Sequence, residues 1–118
     1  MTDEDKTLLE MAAIAAGLTG YRYVTPDVEH RLLTDRGITV WNPLASDGDA
    51  LRLAVQQGLE ICSDHDAIRG EFCEVFYRPR KYARQKSCIE YFKDNPDPLA
   101  ATRRTIVRAA AEIGKAQK

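Results

Sequence analysis

Three strand-like segments follow one another between Leu59 and Phe92, and the links joining them are short. LEICSDHD (59–66) and EFCEVFY (71–77) are separated by four residues, and SCIEYF (87–92) follows the nine-residue link RPRKYARQK (78–86). A parallel crossover needs a dozen or more residues, usually a helix, so these links favour antiparallel hairpins. Upstream, residues 21–24 read as a short strand before the turn Thr25-Pro26-Asp27. An undecided segment then runs to Thr34, and GITVW (37–41) reads as a β-branched strand ended by Asn42-Pro43.

Helices flank and separate these strands. The first is expected over 3–16, with Thr2 as N-cap, Asp5 at the capping-box position, and Leu8, Met11, Ala12 and Ala15 at helical spacing. Gly17 ends it and Leu18 folds back. In WNPLASDGDALRLAV (41–55), two aspartates flanking a glycine suggest either a cation loop or a helix start. An EF-hand spacing places an oxygen ligand at residue 51, which is leucine, and a glycine at 52, which is arginine. Ser46 followed three residues later by Asp49, ahead of Leu51, Ala54 and Val55, instead fits a capped helix closed by Gly58 and Leu59. The last helix opens with Asp97 as N-cap and Pro98 at the first helical position, and Leu99, Ile106, Val107, Ala110 and Ile113 form its apolar face. The expected architecture is α+β in an αββαββα-like order. A mostly antiparallel sheet of 4–5 strands is covered by three helices, αβα sandwich-like, in a single domain over 1–118.

A chain of 118 residues with 44% hydrophobic and 30% charged residues is long enough to bury a core without staples. Its longest apolar run, MAAIAAGL (11–18), is far below the roughly 20 residues that span a bilayer. The start MTDEDK is acidic where a signal peptide is basic, so a cytoplasmic protein without membrane contact is expected. Cys62, Cys73 and Cys88 include no C-x-x-C pair, which argues against a disulfide framework or zinc knuckle. Net charge is −1 overall, yet residues 1–74 carry −8 and residues 75–118 carry +7. Such polarity suits an acidic or nucleic-acid partner, or two halves that fold against each other.

The residues offer little for catalysis. His30 and His65 lie in no metalloprotease, hydrolase or nucleotide-binding motif. The best metal or acid/base candidate is CSDHD (62–66), but on a strand Cys62, Asp64 and Asp66 share one face while His65 takes the other. No catalytic residue, metal or cofactor is therefore expected. Binding is better supported: Arg78, Arg80, Lys81, Arg84 and Lys86 are free of intervening acids, and Tyr82 can stack. On the last helix Arg104 and Arg108 fall on the face opposite the apolar stripe and join the expected partner-binding set, with Glu112 four residues beyond Arg108. Arg103 falls within the stripe and should be buried against an acid such as Glu60, Asp64 or Glu74.

WNPLASDGDALRLAV and ATRRTIVRAAAEIG (101–114) resemble the small uncharacterised proteins of tailed phages and prophages, a group similar to the phage ABA-sandwich families. The resemblance implies an α/β sandwich and a mobile-element origin, and assigns no activity or site residue. The resulting expectation is an accessory binding protein without catalytic activity, acting in the host cell cytoplasm on a host or phage protein as an inhibitor or modulator. Nucleic-acid binding through residues 78–86 and the last helix is the alternative. A pI near 6.1 favours the protein partner, since dedicated nucleic-acid binders are mostly basic overall.

Overall fold

The computed structural model describes residues 2–18, 22–23, 31–34 and 37–117, with the strands between 22 and 40 described by their backbone alone. Elements follow in the order α1 (Asp3–Ala15), β1 (Arg22–Tyr23), β2 (Arg31–Thr34), β3 (Gly37–Val40), α2 (Asp47–Gln57), β4 (Glu60–Asp66), β5 (Gly70–Tyr77), β6 (Lys86–Tyr91) and α3 (Pro98–Gln117). The turn expected at 25–27 lies outside the described residues. β2 falls within the segment left undecided by sequence.

Local signals set the helix ends. Thr2 Oγ1 accepts the Asp5 amide and Ser46 Oγ accepts the Asp49 amide, so both expected N-caps form. Asp97 Oδ1 accepts the amides of Leu99 and Ala100 ahead of Pro98. Gly58 takes a left-handed conformation, and the Leu59 amide reaches back to the Ala54 carbonyl, the paired C-terminal bonds that only a residue tolerant of positive φ permits cheaply.

The expected sheet is overturned. Among the described residues no sheet of four or five strands forms: the strands make two separate antiparallel sheets, β1-β2-β3 and β4-β5-β6. Short links pair strands that are neighbours in the chain, and α2 interrupts that adjacency between β3 and β4. The αβα arrangement fails as well, because α3 packs on one face of β5 and β6 while α1 packs on α3. On the covered face lie Cys73, Val75, Tyr77 and Cys88; Phe72, Glu74 and Phe76 alternate to the other side and are half-buried.

α3 is the hub of the fold. Nine of its 20 residues are buried, more than one packed stripe supplies, because sheet, α1 and α2 press on different sides. Arg104 meets Glu4 and Asp5 near the starts of α3 and α1, while Gly114 lies against Met11 and Ala15 farther along, so these helices run the same way. α2 shares that direction, with Asp47 beside Arg103 and Gln57 Nε2 donating to the Ala15 carbonyl. At the close end of the α1–α3 pair a Cβ on Gly114 would overlap the Met11 carbonyl oxygen.

Two substitutions check this reading by urea unfolding. Gly114→Ala gains about 1 kcal/mol of helix propensity, but wedging apart two backbones costs typically about 1–3 kcal/mol or more. The midpoint should therefore fall. Ser46→Ala should cost about 1 kcal/mol through its lost cap.

Candidate partner-binding site

The link between β5 and β6 is a stapled loop. Pro79 and Ala83 are half-buried, and the Ala83 amide donates to the Arg80 carbonyl across a turn. Arg78 Nη1 donates to the Ala83 carbonyl at 2.8 Å, and Arg80 Nη2 to the Ala116 carbonyl at 3.3 Å. The second bond ties the loop to the C-terminal turn of α3, whose carbonyls carry the negative end of the helix dipole. Lys81, Arg84 and Lys86 are exposed and form no ion pair among the described residues. Tyr82 is 90% exposed with Lys81 Nζ 5.4 Å from its ring centre. The loop thus divides its cations: two arginines bond to backbone carbonyls, and the others face solvent, Lys81 beside the ring of Tyr82.

Arg104 and Arg108 do not join them. Arg104 lies between Asp5 at 2.6 Å, Glu4 at 3.0 Å and Glu90 at 3.6 Å, and the Asp5 hydrogen bond raises its pKa above the usual guanidinium value. Twelve residues separate it from Ala116, about 18 Å along the helix. Arg108 donates to the Ile89 carbonyl and pairs with Glu90 at 3.3 Å; Glu112 pairs with Lys115 instead. The exposed face expected for Arg104 is in fact the seam with α1, which a helical wheel of α3 alone does not reveal.

Arg103 is largely buried, as its place in the stripe predicts, but its partner is neither Glu60, Asp64 nor Glu74. Its Nε donates to the Leu44 carbonyl and its Nη1 meets Asp47 at 2.6 Å, with the Asp47 side chain 66% exposed. Asp49 accepts the Asn42 amide and pairs with Arg52. Both aspartates of the DGD run therefore serve the turn and its contact with α3.

β4 runs through Asp66, so the expected division of CSDHD holds: pairing with β5 places Cys62, Asp64 and Asp66 on one face and His65 on the other. Asp66 accepts the amides of Arg69 and Ile68, which lower its pKa, and Asp64 accepts the His65 amide. Burial pushes the Cys73 and Cys88 thiols up, away from the reactive thiolate.

Sequence reasoning missed an apolar groove of about 270 Å³ between α2, α3 and β4, lined by Leu51, Ile61, Leu99 and Ile106 with Asp47 and Arg103 at its rim. Leu51 and Leu99 are each 61% exposed, so Leu99 is not part of the packed face of α3. A signal was present in α2: apolar residues 50, 51, 53, 54 and 55 cover more of the helix circumference than one contact can bury. The chain matches no protein-family model, no curated protein and no solved structure.

Two outcomes follow for the charged and thiol groups. Arg104→Ala leaves Asp5, about three-quarters buried, without its cation and Glu90 with Arg108 alone, and should cost roughly 1–3 kcal/mol in denaturant titration. Because the folded-state pKa values of Cys73 and Cys88 are raised, their contribution to stability is complete below the ordinary thiol value near 9 and is lost as pH rises through the folded values. Unfolding curves should therefore show alkaline weakening that Cys73→Ala/Cys88→Ala reduces.

Proposed function

We propose that this chain is a small binding protein without catalytic activity, of the phage or prophage accessory kind that its two motifs resemble, acting on a protein partner in the host cytoplasm. The loop between β5 and β6 is its contact surface, and an acidic protein patch is what that loop would recognise. The observation carrying this reading is the combination at Lys81, Tyr82, Arg84 and Lys86: exposed cations with no ion-pair partner among the described residues, one of them beside an exposed aromatic ring, on a loop held by its own arginines. Such a surface costs little to order on binding and steers an acidic partner from a distance.

The competing reading is nucleic-acid binding, since exposed tyrosine among cations also suits bases and phosphates. It draws less support because Arg104 and Arg108, which would extend the basic track along α3, are paired with Glu4, Asp5 and Glu90.

Titrating the protein with a short Glu/Asp-rich peptide, single-stranded DNA and duplex DNA in rising salt separates the two. The acidic peptide should bind more tightly than either DNA at physiological salt. Lys81→Glu/Arg84→Glu should abolish binding while shifting stability by less than about 0.5 kcal/mol, as for most exposed substitutions. DNA binding tighter than the peptide, with a steep salt slope lost in the same variant, would establish the nucleic-acid reading instead.

A further inference from the structure

The two outer edges of the β4-β5-β6 sheet are finished differently. The Phe92 amide donates to the Glu71 carbonyl, so the odd residues of β5 bond toward β6 and its even residues toward β4. Within β6 this turns Ile89 outward, where Arg108 Nη1 donates to its carbonyl and blunts that edge. In β4 the same parity turns the backbone groups of Ile61, Ser63 and His65 outward. The His65 amide is taken by the carboxylate of Asp64, while no hydrogen bond among the described residues serves the outward groups of Ile61 or Ser63. Both residues are exposed.

What flanks this open edge differs by face. On the helix side it borders the apolar groove, with Ile61 forming one wall and Leu51 and Leu99 the others. On the opposite side β4 presents Glu60, Asp64 and Asp66, alternating with Cys62 and accompanied by no cation of its own strand. A strand added beside β4 would project alternate side chains to these two faces.

We propose that the β4 edge binds an extended peptide segment of a partner protein in which apolar and basic residues alternate. Its backbone pairs with Ile61 and Ser63, its apolar side chains enter the groove over Leu51 and Leu99, and its basic side chains lie along Glu60, Asp64 and Asp66. Charge complementarity selects this occupant over a second copy: antiparallel pairing of two β4 strands centred on Ser63 sets Glu60 against Asp66 and brings like charges together on one face. This surface is separate from the loop at 78–86 and does not depend on that loop's role.

The test uses the whole chain and a synthetic, end-capped peptide alternating valine and lysine, compared with a peptide of the same composition reordered so that the alternation is lost. In an amide NMR titration the alternating peptide should shift the Ile61 and Ser63 amides, and the reordered peptide should bind at least about tenfold more weakly. Leu51→Glu/Leu99→Glu alters exposed positions only; it should keep the wild-type Tm and lose about tenfold or more in affinity. Glu60→Lys/Asp64→Lys should weaken binding and flatten its salt dependence. Lys81→Glu/Arg84→Glu should leave it unchanged, so failure here is distinguishable from failure of the loop reading. Equal binding of both peptides, immobile amides at Ile61 and Ser63, or a sedimentation-detected dimer that the alternating peptide cannot displace would each overturn the proposal; the wild-type amide map decides if a variant does not fold.

Discussion

The near contact of α1 with α3 at Gly114 governs much of this fold. Two helix backbones approach until a single methyl group would strike the Met11 carbonyl, a separation that the buried alanines 12 and 13 of α1 and 109–111 of α3 match. Small residues contribute little transfer free energy each, but they let backbones and their attached atoms pack densely, where dispersion accumulates over many contacts. Once α1 is fixed there, α3 keeps its other sides for the sheet and α2, and its buried share rises beyond that of a surface helix.

Parallel helices impose an electrostatic condition. Their N-terminal ends lie toward one end of the molecule, which gathers partial positive charge, and their C-terminal carbonyls gather the opposite sign. Asp3, Glu4 and Asp5 start α1, Asp47 and Asp49 start α2, and Asp97 caps α3. At the other end Arg80 and the side-chain amides of Gln56 and Gln57 bond the last carbonyls of α3 and α1. Part of the acidic and basic division of the chain follows from this geometry, and Arg103 and Arg104 join the halves through Asp47, Glu4 and Asp5. The solvent-facing cations of the loop at 78–86 do not enter that accounting, which is why they draw functional attention.

The same packing leaves apolar surface uncovered. α2 buries Ala50, Leu53 and Ala54 but turns Leu51 and Val55 outward, 61% and 74% exposed, and Leu99 lies free at the start of α3. Scattered exposed leucines are ordinary. Here Leu51 and Leu99 share a groove with Ile61, on a strand edge whose outward groups at Ile61 and Ser63 have no hydrogen-bond partner among the described residues, and that coincidence underlies the peptide proposal.

Sequence alone determined whatever depends on neighbours along the chain. The caps at Thr2, Ser46 and Asp97 and the stop at Gly58 rest on bonds within a few residues, and the hairpins β4-β5-β6 on links too short for a crossover, so the local pattern specifies them. The division of CSDHD between two strand faces follows from a period of two. Tertiary structure decided how many sheets form, which acid meets each arginine, and which apolar residues remain outside. Arg104 looked exposed because a helical wheel knows its own core side but not the second helix laid against its flank; Leu99 looked buried for the converse reason. Gly114 carried no local signal for its role, because the atom that demands glycine there, the Met11 carbonyl oxygen, belongs to a helix about 100 residues earlier in the chain.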